Sequence, residues 1–189
     1  MSLRTPPPRH RATRWRAFSL VELLVVIGVL TLLIGLLLPV LGKARRYSRQ
    51  VSCAATLRDL GAAWVMYTQA YPNSFPPAVS LPSANPAPAT ELTVMSVLDR
   101  YVKVASVWRC PGDDRVYFER FGTSYEYWPG LLIALDPNNA TTLAGYAKHH
   151  PAQVPVLGDA ESFHPSASEP GRRWAMYYDG HVDWFKTPE

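Results

Sequence analysis

From Phe18 to Leu41 the chain runs for 24 residues with a single charge, Glu22. No other stretch constrains the fold as much. A helix rises about 1.5 Å per residue, so the run reaches about 36 Å, enough to cross a hydrocarbon core of about 30 Å. Before it, Met1–Ala17 carries five Arg and no acid, and after it polarity returns at Lys43. A secretory signal has an apolar region of only about 7–15 residues and a small-residue cleavage site, and Gly42-Lys43-Ala44-Arg45 is a poor one. Glu22 is the anomaly. A carboxylate at full depth in a membrane helix costs about 2.5–3.5 kcal/mol and is usually functional. It needs a cation or hydrogen-bond donors, and Phe18–Leu41 holds no cation. The bland alternative is a Glu snorkelling at the membrane surface.

The net charge of +4 looks like a nucleic-acid signal, but it sits in the wrong place. Removing the five leader Arg leaves 14 basic and 15 acidic residues, so +4 − 5 = −1. No specific nucleic-acid partner is expected. Charge alone orients the run weakly, because Lys43, Arg45, Arg46 and Arg49 follow it closely.

Ala17-Phe18-Ser19-Leu20-Val21-Glu22-Leu23-Leu24-Val25-Val26-Ile27 resembles the prepilin-type cleavage and methylation motif of type IV pilins and type II secretion pseudopilins. The resemblance implies cleavage between Ala17 and Phe18 and N-methylation of Phe18. It implies that Glu22, four positions on, serves methylation and subunit docking. The new ammonium at Phe18, or that of a neighbouring subunit, would be the cation Glu22 lacks. Ala17 departs from the usual Gly before the cut. Pro39 falls where these pilins place a helix-kinking proline. The implied fold is α+β, a long N-terminal helix packed on a small antiparallel β-sheet domain. The implied partners are other pilin-like subunits, the prepilin peptidase/methylase, the inner-membrane assembly platform and the lipid bilayer. The implied location is a single pass through the inner membrane, with the C-terminal domain extracytoplasmic and later fibre-associated. A structural subunit of this kind is not an enzyme and carries no cofactor.

The organisation that follows is a leader over 1–17, a membrane or fibre-core helix over 18–41, and an amphipathic continuation over 42–71. A proline-rich loop over 72–90 and a globular α+β domain over 91–189 complete it. Tyr47, Val51, Ala54, Leu57, Leu60, Trp64, Tyr67 and Tyr71 form one apolar stripe at spacings of three and four. Cys53 shares its face with Leu57, Leu60 and Trp64. Six prolines in the nineteen residues from Pro72 to Thr90 predict an extended surface loop. Thr90-Glu91 reads as a helix start, with Val94, Val97, Leu98, Tyr101 and Val102 as its face. Val104–Trp108, Tyr117–Phe118, Thr123–Trp128 and Val154–Leu157 read as strands. Leu131–His150 stays open between helix and strand. Arg173–Tyr178 and His181–Phe185 read as a hairpin about Asp179-Gly180.

Cys53 and Cys110 are an even pair in a chain whose bulk is expected outside the cytoplasm, where disulfides persist. A disulfide is the expectation and two buried thiols the alternative. Two cysteines alone do not make a zinc site, which takes four ligands. Tyr177-Tyr178-Asp179-Gly180-His181-Val182 resembles the ending of a pilin-like subfamily with a His before a terminal Asp-Gly. Cys53 with Leu57 and Leu60, and Cys110-Pro111, look like that subfamily too. His164 lies fifteen residues before Asp179, a longer gap than usual.

There is no Gly-rich phosphate loop, no nucleophile elbow and no His-Glu-x-x-His. Asp159, Glu161, His164, Asp179, His181 and Asp183 form the best polar cluster, of a type that suits Ca²⁺. They serve equally as turn formers and solvated strand faces, so no metal is assigned. His149-His150 reads as an exposed loop pair. The rival to a fibre subunit is a membrane-anchored extracytoplasmic binding protein or enzyme that uses the helix as a stalk.

Overall fold

In a computed structural model, residues 19–72, 74–114, 116–136, 138–164 and 172–185 are described. The chain forms two compact units, Met1–Gly42 and Lys43–Glu189. Helix α1, Leu20–Ala70, belongs to both. The architecture is α+β, with a long N-terminal helix and a four-stranded antiparallel sheet.

In the first unit every side chain from Ser19 to Leu41 is exposed. The most apolar 18-residue window of α1 has a mean hydropathy of 3.0, long and apolar enough to cross a membrane. The helix start is built by its own sequence. The Ser19 N–H donates to Glu22 Oε2 at 3.0 Å, and the Val21 N–H donates to Ser19 Oγ at 3.3 Å. Two backbone donors that a helix end leaves orphaned are thereby satisfied, in the manner of a capping box. Thr31, the other polar side chain of this stretch, donates its hydroxyl to the carbonyls of Ile27 and Gly28, both at 2.9 Å. The chain stays helical through Pro39.

In the second unit the rest of α1 carries the core. Cys53, Leu57, Leu60 and Trp64 have no exposed surface, and Ala54, Ala63 and Tyr67 are buried beside them. Tyr47, Val51 and Tyr71, at the ends of the stripe, are exposed. The sheet runs β1-β2-β3-β4, with β1 Tyr125–Tyr127, β2 Pro155–Asp159, β3 Trp174–Tyr177 and β4 Val182–Trp184. Its first strand meets α1 through Thr56 Oγ1 and Tyr125 Oη, 2.5 Å apart, and through the rings of Trp64 and Tyr127. On β2 the pairing with β3 is irregular between Pro155 and Leu157. Pro155 has no N–H to give, so a bulge is tolerated there, and Val156 and Leu157 are both fully buried.

Three local readings change. Val104–Trp108, expected as a strand, is extended only at Val104, and Ala105–Trp108 is a 3₁₀ turn. Only Trp108 in that segment is buried, so it lacks the alternation that a sheet face rewards. Tyr117–Phe118, also expected as a strand, begins helix α3, Tyr117–Phe121. Asp113 decides this. Its carboxylate accepts from the Tyr117 N–H at 3.2 Å, the Phe118 N–H at 2.8 Å and the Ser124 hydroxyl at 2.6 Å. The proline-rich segment is more than a surface loop. Phe75, Pro76 and Ala78 are buried, the Phe75 ring lies 5.5 Å from Trp64, and Pro76 O accepts from the Tyr127 hydroxyl.

Elsewhere the helix expected after Thr90-Glu91 is α2, Val94–Leu98, capped by Thr93 and Ser96. The open stretch becomes α4, Trp128–Leu135, and α5, Asn139–His149. The hairpin between β3 and β4 turns at Gly180, whose φ of 85° is one that only glycine adopts freely. Gly180 lies against α1. A Cβ on Gly61 would come within 2.6 Å of Gly180 O.

Candidate functional site

Two places hold the residues singled out in the sequence. At the first, Ala17 and Phe18 lie outside the described residues. Glu22 is described, and it has a donor in its own chain, the Ser19 N–H. Of the two partners expected for it, a cation or hydrogen-bond donors, the described residues supply a donor. The signal was readable, since Ser19-x-x-Glu22 is the capping-box spacing.

The second is a buried cluster in the second unit. Cys53 and Cys110 form a disulfide with their Cα atoms 4.9 Å apart. Cys53 is placed by the apolar stripe of α1. Cys110 is placed by the Pro111-Gly112 turn, in which the Gly112 N–H points at Cys110 Sγ at 3.3 Å and the Asp113 N–H bonds Cys110 O at 2.9 Å. His164 comes from the segment after β2 and brings Nε2 to 3.3 Å from Cys110 Sγ. Its ring lies against Gly112, where a Cβ would meet His164 Cε1 at 2.6 Å. Asp159, the last residue of β2, holds Oδ2 4.0 Å from His164 Nε2 and accepts the Trp174 N–H there at 2.9 Å. Asp159 Oδ1 is buried and accepts no hydrogen bond from the described residues.

Burial dominates the electrostatics of this cluster. It pushes Asp159 up to about 7, against smaller opposing effects of the Trp174 N–H and the Arg173 guanidinium. It pulls His164 down to about 4. At neutral pH the imidazole is neutral, a state in which it can ligate a metal. Tyr125, opposite Asp159 in the sheet, is pushed well up by burial.

The six-residue polar cluster of the sequence does not assemble as one site. Asp159 and His164 meet at Cys110. Asp179 and His181 pair with each other at the hairpin turn, His181 Nδ1 to Asp179 Oδ1 at 2.5 Å, while the His181 ring stacks on Tyr177. Asp183 is exposed, and its Oδ1 accepts its neighbour's Trp184 N–H. Glu161 is half-buried. The His150 ring lies tilted against Tyr146, 4.7 Å between centroids, just past the end of α5.

A separate cavity of about 620 Å³ is lined by Asn85, Met95, Asp99, Lys103, Trp108 and Phe118 among others. Its charged groups are Asp99 and Lys103. No family model, curated protein or solved structure matches the chain.

Proposed function

We propose that this chain is a pilin-like structural subunit, processed at Ala17-Phe18, held in the inner membrane and then packed helix-to-helix into a type IV pilus or type II secretion-like fibre. One observation carries the reading. A helix with every side chain from Ser19 to Leu41 exposed carries the described part of the motif, Ser19–Ile27 with Glu22. Apolar side chains in that number need lipid or neighbouring helices around them, and a fibre core replaces the first with the second. The second unit, cross-linked by Cys53–Cys110, is then the part displayed outside the cytoplasm. A bare stalk needs the apolar run but has no use for Phe18 and Glu22 at this spacing.

The decisive measurement is mass spectrometry of the amino terminus of chain purified from cells with an active prepilin peptidase. The expected terminus is N-methylated Phe18. An intact Met1 leader overturns the reading. Glu22 is tested separately, because it has both a capping bond and, on this reading, a charge to pair between subunits. Glu22→Ala removes both. Glu22→Gln keeps an acceptor for the Ser19 N–H and removes only the charge. Both variants are expected to reach the membrane and fail to enter fibres. Normal incorporation of Glu22→Gln would reduce Glu22 to a helix cap.

A further inference from the structure

We propose that the dithiol form of this chain binds one zinc-class divalent ion between Cys53 Sγ, Cys110 Sγ, His164 Nε2 and a carboxylate oxygen of Asp159. The proposal is independent of the fibre reading.

The ligand atoms of Cys53, Cys110 and His164 all lie within 4.8 Å of one another, and all three residues are buried. Zn²⁺ takes sulfur at about 2.3 Å and imidazole nitrogen at about 2.0 Å, so tetrahedral neighbours stand about 3.5 Å apart. His164 Nε2 is already 3.3 Å from Cys110 Sγ and 4.0 Å from Asp159 Oδ2. Once the disulfide is open, side-chain rotation separates the two sulfurs to the required spacing. A second observation is independent of the sulfurs. Asp159 Oδ1 is buried with no hydrogen bond from the described residues, and an orphaned carboxylate oxygen in such a place needs a cation or a donor.

Charge favours the ion as well. Two thiolates neutralise Zn²⁺ without any cationic side chain. The sequence reading set zinc aside for want of ligands. The fold brings His164 to the two sulfurs and Asp159 to His164.

The conversion balances simply. A dithiol reductant gives two electrons and two protons to the Cys53–Cys110 bond and leaves as its own cyclic disulfide. Two thiols result. The ion then displaces both thiol protons to solvent without changing its oxidation state. Disulfide and metal are thus alternative cross-links between α1 and the Cys110 turn, and the tether survives in either redox state.

The test uses the full chain in detergent micelles, reduced with a dithiol, freed of reductant without air, and titrated with Co²⁺ as the probe. The expected result is one Co²⁺ per chain, with thiolate-to-cobalt charge transfer and the intense visible bands of a tetrahedral ion. The oxidised chain binds none, and His164→Gln lowers the affinity at least about tenfold. No tetrahedral cobalt in the reduced chain, or equal binding by the oxidised chain, overturns the proposal. So does an unchanged spectrum and affinity in His164→Gln. Should that variant misfold, thiol alkylation of the reduced wild-type chain decides instead. Zn²⁺ is expected to protect both cysteines, and unchanged alkylation rules the site out.

Discussion

Asp159 and His164 are 4.0 Å apart, and burial shifts them in opposite directions. Their effects on stability therefore oppose each other. Asp159 keeps its proton up to about pH 7 when folded but only to about 3.8 when unfolded. Its contribution is fully present below pH 3.8 and is lost as pH rises toward 7. His164 titrates at about 4 when folded and 6.5 when unfolded. Its contribution is present above pH 6.5 and is lost as pH falls through 4. Between pH 4 and 6.5 the two slopes largely cancel. Single variants separate them. For the oxidised full chain, denaturant titrations of Asp159→Asn are expected to show stability rising from pH 4 to 6.5. Those of His164→Gln are expected to show it falling from pH 4 to 7. Each slope is bounded by about 1.4 kcal/mol per pH unit, the value for one proton. Slopes of the same sign in both variants would refute this account of the pair.

At the scale of elements, two glycines in helices do opposite things. Read from sequence, Gly61 only weakens α1, by about 1 kcal/mol relative to Ala. In the fold it admits the β3–β4 turn, whose Gly180 carbonyl would lie 2.6 Å from a Cβ at position 61. Backbone on the far side cannot rotate away, so Gly61→Ala trades a propensity gain for overpacking of about 1–3 kcal/mol. Gly145 in α5 has nothing within 4 Å of its Cβ position. Gly145→Ala is expected to raise the melting temperature slightly, and Gly61→Ala to lower it by several degrees. Circular dichroism melts of the two variants check this, and a stabilised Gly61→Ala would mean that the turn does not seat on α1. The same contrast explains α3. Tyr117 and Phe118 have strand-like side chains, yet the Asp113 carboxylate holds their N–H groups and starts a helix.

For the molecule as a whole, the Cys53–Cys110 bond matters most. It joins α1 to a turn 57 residues away and encloses the proline-rich segment, which has little regular structure of its own. Closing that span contributes about 4 kcal/mol in the chain-entropy model. The total stability of a domain this size is about 5–15 kcal/mol. Replacing both cysteines with Ala is expected to lower the melting temperature of the second unit by about 10 °C. Calorimetry of the oxidised full chain in detergent measures it, and an unchanged midpoint would show that packing around Trp64 and Phe75 already holds the segment.

What the sequence settled by itself is what depends on spacing along one element. The apolar run makes a long exposed helix, the three-and-four stripe buries Cys53 beside Leu57, Leu60 and Trp64, and Asp179-Gly180 turns a hairpin. Each follows from periodicity or from a backbone angle that one residue type favours, so neighbours in the chain carry the information. Ser19 and Glu22 belong here too, since their capping bond is three residues long. Only the tertiary structure decided the buried cluster. Cys110 and His164 are 54 residues apart, and neither has a local pattern that names the other. They meet because β2 ends at Asp159 beside Ser124, while the Gly112 turn leaves room for an imidazole ring. Contacts of that kind are set by which surfaces remain to be covered once the helix and sheet have packed, and no periodicity along the chain records them.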